Sequence, residues 1–549
     1  MKKKTSLFLA LFYVFLFIAP DALASYEFLD GRIRIKGRIE QFMMWGWHLR
    51  RDHIGRVITE TGPSTRPEKD YRDNNLVLNM SLFTMETLFK LVDNEDLLIN
   101  LQTYLRWYYE SSPDIDKKLH RMWGHDYLHR AYQTNRFDQD DWVNEAFLDI
   151  YRGPWNVRIG KQIVFWSEVE MVRTVDKINP IDMRYSTPGI EPWDELKLGL
   201  WMLRLFYNSE LPGNLIFETI FTLDHERTRT PFAGSWMGLG PGTPIHKNHR
   251  YNEHRPGSVK QANDDAWDDA HPAFTWSSYK FAFRIRGNSE VFLFDTPYIL
   301  DWTVSYINTL DDTPVALSYV LEDWNGELSS SRLRGATYSQ LPQLEDFPRM
   351  WVFKRYELFG ASCQTYVPPI RGVLRGEFSY EKGRHYNQCP RGRPDVPPEK
   401  DRDFIVERDH IAYGVTYDVP IPVPFNNKPF FGRYGIRRMF DCSFGLFQGW
   451  HMGNVTRIRQ EFGYNQRSET NFTFMLRHGI RHNEFIPVIR ALYNTRNLGF
   501  VAPVVLWMPG AHFRYEIGAI WFYAKNPRDH RTATAETRDF AFFKIRYEY

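Results

Sequence analysis

Apolar and polar residues alternate along this chain with a period of two, and the alternation recurs up to the last residue. In 541–549, AFFKIRYEY, the residues Ala541, Phe543, Ile545, Tyr547 and Tyr549 share one phase, while Lys544, Arg546 and Glu548 fall in the other. Near the start Ile33, Ile35, Gly37 and Ile39 oppose Arg32, Arg34, Lys36 and Arg38, and between 99 and 110 a longer run repeats the code. A period of two marks a strand whose two faces meet different solvents. Such segments fall at 33–39, 76–91, 99–110, 142–152, 155–165, 196–208, 215–223, 276–286, 297–307 and 351–365. They continue at 370–382, 404–419, 433–449, 470–480, 484–494, 500–507, 511–525 and 538–549. Connectors between them alternate in length. Short ones lie at 93–94, 153–154, 212–213, 367–368, 482–483 and 509–510, with a Pro-rich one of moderate length at 420–432. Long ones lie at 44–73, 111–141, 166–195, 225–275, 308–349, 383–403, 450–469 and 526–537, and 495–498 is a short exception. The pattern predicts an all-β protein, a transmembrane antiparallel β-barrel of about 18 strands (range 16–20). Short turns are expected in the periplasm and long loops outside; both termini in the periplasm require an even count, which about 18 satisfies.

The first residues change the picture by giving an address. Lys2, Lys3 and Lys4 precede an apolar run at 7–19, and Ala22-Leu23-Ala24 is a small-residue exit, so 1–24 is expected to be a cleaved signal peptide. The remainder, 25–549, is expected to be one barrel in the outer membrane of a Gram-negative bacterium, with 166–195 and 225–275 as inserted or capping loops. Composition agrees: 16% aromatic residues with 25% charged ones suit lipid-facing aromatics above polar loops. No other apolar run approaches the ~20 residues of a helical span. A net charge of +2, with Lys and Arg scattered along the chain, gives no reason to expect nucleic acid as a partner.

One stretch breaks the rhythm. Trp155, Val157, Ile159, Ile163 and Phe165 alternate with Asn156, Arg158, Gly160 and Gln162, but the residues after Phe165 are too polar for lipid, and Pro180 lacks a ladder donor. Arg158, Gln162, Glu168, Asp176, Asp182 and Arg184 are the candidates for a salt-bridged plug that narrows a pore; the alternative is that they order an extracellular loop. Lys161 falls in the apolar phase, where either a bulge re-aims it inward or its ammonium snorkels.

A second set is basic. Arg32, Arg34, Lys36, Arg38, Lys544 and Arg546 lie on the first and last strands, which must pair to close a barrel, and a stripe of these cations would favour anionic solutes. Arg375 shares their inward phase on a distant strand. Neutralisation by acids such as Glu377, Glu381 and Glu548 is the alternative. The loop 225–271 carries His246, His249, Glu253 and His254 with Asp264, Asp265, Asp268 and Asp269, but a solvated loop explains it, so no metal and no cofactor is expected. Cys363, Cys389 and Cys442 are odd in number and imply no disulfide framework. No G-x-S-x-G, H-E-x-x-H or phosphate loop occurs, so no catalytic residue is proposed.

Two segments carry a family resemblance. The run 143–184, VNEAFLDIYRGPWNVRIGKQIVFWSEVEMVRTVDKINPIDMR, resembles the hallmark of an uncharacterised outer-membrane family, domain-of-unknown-function family 1302, related to alginate-export porins. The matching residues are Glu145, Ala146, Gly160, Gln162, Trp166, Asp176, Asn179, Pro180, Asp182 and Arg184; Arg375, Gly376 and Glu377 resemble a second segment. Ser167 stands where the family usually has Gly. The resemblance implies a transport-type barrel that handles hydrophobic compounds or envelope lipids alongside other envelope transport proteins. The aromatic end of 541–549 resembles the signal read by the barrel assembly machinery, a further expected partner besides outer-membrane lipid and lipopolysaccharide. The function expected is a channel or exporter for a small anionic or amphipathic solute, narrowed by the loop after Phe165. The alternative is a non-conducting structural or adhesin-like barrel whose long loops bind partners.

Overall fold

The side-chain period of two is realised as one closed sheet. A computed structural model describes residues 26–46, 75–111, 142–169, 173–183, 193–229, 276–293, 296–313, 315–316, 351–387, 405–424, 428–453, 467–495, 498–524 and 539–549. Eighteen barrel strands follow in order, each overlapping one of the periodic segments. They are β1 Ile33–Gly46, β2 Asn75–Asp93, β3 Leu98–Ser111, β4 Val143–Arg152, β5 Trp155–Gln162 and β6 Leu200–Asn208. Next come β7 Ile216–Thr222, β8 Lys280–Leu293, β9 Thr296–Leu310, β10 Arg355–Val367, β11 Gly372–Asn387 and β12 Ile405–Pro422. The last are β13 Met439–His451, β14 Ser468–Arg477, β15 Phe485–Asn494, β16 Leu498–Trp507, β17 Phe513–Ala524 and β18 Phe540–Glu548. Every neighbour pair is antiparallel, and β1 closes on β18 with Arg38 opposite Glu548 and Gly46 opposite Phe540. Closure leaves no strand edge facing hydrocarbon, which is what lets a sheet cross a bilayer.

The seam is pinned at its end. Gly37 and Tyr549 exchange backbone hydrogen bonds of 2.9 Å each way. The Tyr549 ring lies over Gly37, where an added Cβ would stand 2.8 Å from its Cζ. An aromatic ring covering a strand glycine in this way is a register device. Where β18 ends, the short strand Tyr26–Phe28 takes over the edge of β1.

Strand bounds separate two ends of the barrel. At one, the connectors are 94–97, 153–154, 209–215, 294–295, 368–371, 478–484 and 508–512, with 423–438 the longest. We refer to this as the short-turn end and to the opposite one as the long-connector end. Outward residues keep their apolar surface exposed, as lipid-facing residues must: Ile517 is 59% and Trp521 42% exposed, whereas inward Ile520 on the same strand is fully buried. Outward aromatics gather toward both ends, Trp155 against Tyr207 and Trp507 against Tyr515 at one, Trp201, Trp450 and Trp521 at the other. These are the girdles of a membrane barrel. The register runs unbroken through Lys161, opposite Ala146 and Trp201, so no bulge re-aims it.

The lumen is divided in character. Inward Phe42, Met44, Leu78, Met80, Phe500, Val504, Ile520, Phe540 and Phe542 form one buried apolar cluster in the long-connector half of β1, β2 and β16 to β18. Across the other strands the inward face is mainly charged or hydroxylic, with Arg158, Arg204, Glu218, Arg284, Ser305, Ser362 and Glu377 among the residues of that phase. Of the cysteines, Cys363 is exposed and Cys442 buried, both as free thiols, and Cys389 lies outside the described residues.

Candidate functional site

The strand that starts at Trp155 stops at Gln162, three residues before the alternation does, and the reason is local. Ile163 N donates to the Glu145 carboxylate at 2.7 Å instead of to a neighbouring strand. Asn179 then replaces the ladder with its side chain. Its Oδ1 accepts from Val164 N at 2.9 Å, and its Nδ2 donates to Gln162 O at 3.1 Å and Leu198 O at 2.8 Å. Leaving and returning strands are thus stitched together by one buried amide, and Leu198 N donates to Pro180 O at 2.9 Å alongside it. Buried backbone groups must find partners, and here they find them away from the sheet.

From this root the segment folds into the lumen. Val164, Trp166 and Ile178 pack with Leu200, Met202, Ile220, Ala282, Ile307, Tyr356 and Leu358, a buried apolar cluster built between the segment and the inner wall of β6 to β10. The wall makes room for it: a Cβ on Gly360 of β10 would stand 2.9 Å from Val175 Cγ1. Trp166 Nε1 donates to Glu218 of β7 at 3.2 Å. On the far side, Glu377 of β11 accepts from Ser167 Oγ at 2.8 Å, from Val169 N at 2.9 Å and from Glu168 N.

Ion pairs complete the attachment. Asp176 is bonded to Lys197, whose Nζ also donates to Val164 O at 2.7 Å, and both side chains are buried. Lys177 lies 3.8 Å from Glu381 of β11, and Arg173 spans 3.4 Å to Asp312, just past β9. Burial pushes the Asp312 carboxyl up, but Arg173, Lys177 and the Thr228 hydroxyl together hold it below its ordinary value. At the returning end, the four-residue helix Trp193–Leu196 presents Glu195 to Arg38 of β1, with two hydrogen bonds of 2.8 Å, and to Arg546 of β18 at 3.5 Å. Burial raises this carboxyl too, yet the Arg38 hydrogen bonds and the nearby cations lower it to about 2. The segment is therefore fixed to wall strands on several sides of the lumen, including β1, β7, β11 and β18.

The plug candidates fall into place unequally. Gln162, Asp176 and Asp182 are buried within or beside the segment; Asp182 N donates to Leu196 O at 2.7 Å, and the backbone at Asp182 forms an isolated parallel β-bridge with that at Arg229. Glu168 is held through its backbone. Arg158 belongs to the wall, where Asp149 takes both of its bonds at 3.1 and 2.5 Å. Arg184 lies outside the described residues. Within the segment Asp176 pairs with Lys197, while Arg173, Lys177 and Glu195 reach partners on or beside the wall strands.

The basic stripe is brought together at the seam and paired. Arg34 meets Glu27 at 2.8 Å, Lys36 meets Glu86 at 2.6 Å and Arg38 meets Glu195, while Arg32 is exposed. Glu40 of β1 takes Arg546 at 2.9 Å and Lys544 at 3.7 Å. Arg375 pairs with Asp418. Glu548 is 3.8 Å from Arg546, whereas Glu377 serves the inserted segment and Glu381 pairs with Arg384 at 2.8 Å besides lying near Lys177. Sequence reasoning missed Lys197, Glu195 and Glu218; the charged run 193–197 just before an apolar strand was the available signal. The histidines and aspartates of 246–269 lie outside the described residues, and those described contain no cluster of three metal-ligating groups.

Among solved structures, the chain is similar to Salmonella typhi OmpF in a complex with daunomycin, at 8% identity and a TM-score of 0.38, over 95% of this chain and 100% of that one. It is similar to Acinetobacter baumannii OccAB3 at 9% identity and a TM-score of 0.42, over 94% and 99%. Pseudomonas aeruginosa OccK11 gives 10% and 0.39, over 96% and 98%. No curated protein sequence matches. A family model described as a protein of unknown function (DUF1302) matches residues 86–390, which is more than half of the chain and holds both the inserted segment and its Glu377 anchor, and the protein belongs to that family.

Proposed function

We propose that this barrel is an outer-membrane channel or exporter for a small anionic or amphipathic solute, with the short-turn end in the periplasm and the aperture set by the segment 163–199. The observation that carries the reading is the attachment of that segment across the lumen through Glu377, Glu218 and Glu195. An 18-stranded wall encloses more space than its own side chains fill, so a segment inside it determines what passes. A solute route lined by paired charges selects by the shape of the remaining gap and by the cations that exceed their partners.

The test is single-channel recording in a planar bilayer, wild type against a variant lacking residues 167–184. Ion-selective openings that grow larger on deletion support the channel. A folded barrel that stays silent both before and after deletion would instead fit the structural or adhesin-like alternative.

A further inference from the structure

Beneath the inserted segment, toward the short-turn end, the lumen holds a cavity of about 570 Å³. Ile163 and Phe165 lie at its upper rim, and Asn156 and Asn208, near the short-turn ends of β5 and β6, mark its lower side. The volume is that of a small-molecule site. Its wall carries four guanidinium groups, on Arg158, Arg204, Arg284 and Arg286.

The guanidiniums are not paired equally. Asp149 is taken up by Arg158, and the single Glu218 carboxylate is shared between Arg204 at 2.5 Å and Arg284 at 2.6 Å. Glu145, the third carboxylate, is engaged by Ile163 N. Glu168 also acts on Arg284, whereas Arg286 makes no ion pair among the described residues and is exposed on the inward face. An unpaired guanidinium is a planar, permanently charged donor suited to a carboxylate. Beside these cations stand aromatic faces: Arg158 lies 4.2 Å over the Phe147 ring and Arg204 4.5 Å over Phe206, while Phe165 is half exposed. Stacked guanidinium and ring surfaces offer an anion both a charge partner and a flat apolar wall.

We infer that this cavity binds an organic monoanion, a carboxylate on an aromatic or other apolar body, entering from the short-turn end. The inference deepens the channel reading by naming the solute class and its side of entry, but binding does not require conduction. Folded full-length barrel in detergent, titrated calorimetrically with sodium benzoate, is expected to show saturable binding. Arg286→Gln should weaken it about tenfold, the range of one lost charge-assisted contact, and Arg286→Lys should restore part of the loss. Phe206→Ala should weaken benzoate, and benzylammonium should not saturate the wild type. Absence of saturable benzoate binding, an unchanged affinity in R286Q, or inorganic phosphate binding as tightly as benzoate would each overturn the inference. A barrel that binds benzoate yet stays silent in a bilayer removes the channel and keeps the site; one that conducts without binding does the reverse.

Discussion

Glu377 is a single carboxylate to which three donors of the inserted segment converge, from Ser167 Oγ, Glu168 N and Val169 N. Hydrogen bonds to a charged group contribute about 1.5–3 kcal/mol each, and leaving buried donors unmet costs as much. Ser167 Oγ retains Val169 O at 2.8 Å as a second acceptor, so the loss on removing Glu377 falls short of the sum. Glu377→Ala is therefore expected to weaken docking of the segment by about 3 kcal/mol, which corresponds to a loss of roughly 100-fold in amide exchange protection. Hydrogen exchange of peptides covering 163–169 measures it; unchanged protection would remove Glu377 from its anchoring role. Glu195 adds a pH dependence of definite sign. Its carboxyl titrates at about 2 in the folded barrel against an ordinary value of 4.5, so its stabilisation is fully present above that ordinary value and is lost as pH falls through about 2. The gap in urea midpoint between wild type and Glu195→Gln should be constant above about pH 5 and shrink as the solution is acidified below the ordinary value. A gap that persists unchanged at pH 2 would show that the Arg38 contact contributes nothing through charge.

At the scale of elements, the inserted segment is defined as much by the wall as by itself. Gly360 faces inward on β10, and a side chain there would meet both Val175 Cγ1 at 2.9 Å and Ser305 Oγ at 2.5 Å. Gly360→Val forces the two surfaces apart at an overpacking cost of about 1–3 kcal/mol. We expect the barrel to fold into a heat-modifiable species and the backbone around Val175 to become accessible to proteolysis; a segment as protected as in wild type would mean that the wall yields instead. The strands themselves were legible because lipid enforces the code. Outward positions are mainly apolar, Lys161 being an exception, so Trp155, Val157 and Ile159 announce β5 without help from the rest of the chain. The lumen imposes no such rule. Phe42, Met44, Phe540 and Phe542 point inward and are buried, and nothing local in β1 or β18 separates them from their outward neighbours Met43 and Phe543. The segment 163–199 was legible as an interruption, since its polarity fits no bilayer. Its partners were not: Glu377 lies 210 residues from Ser167, and Glu195 lies 157 from Arg38. Long-range pairing of that kind leaves no periodic trace.

At the scale of the molecule, all other features depend on closure, and closure rests on the last nine-residue strand. β18 pairs with β17 on one side and β1 on the other, and Tyr549 adds the two bonds to Gly37 beyond its end. Truncation after Asp539 would leave β1 and β17 as open edges in hydrocarbon, where each unpaired peptide group costs several kcal/mol. No compact species is expected, and the protein should lose its heat-modifiable mobility entirely. Removing only Glu548 and Tyr549 is a sharper test, because the ladder from Phe540 to Tyr547 survives. It deletes the Gly37 bonds, the ring over Gly37 and the Arg546 contact with Glu548, so the barrel should still close but unfold at lower urea. The inserted segment should then respond as well. Glu195 reaches the seam at Arg38 and Arg546, close beside the lost contacts, so loosening the seam removes the fixed points to which the returning end of the segment is attached. If the shortened chain unfolds earlier while exchange in 193–199 is unaltered, the seam and the segment are mechanically independent, and the segment is held by the Glu377 and Glu218 side alone.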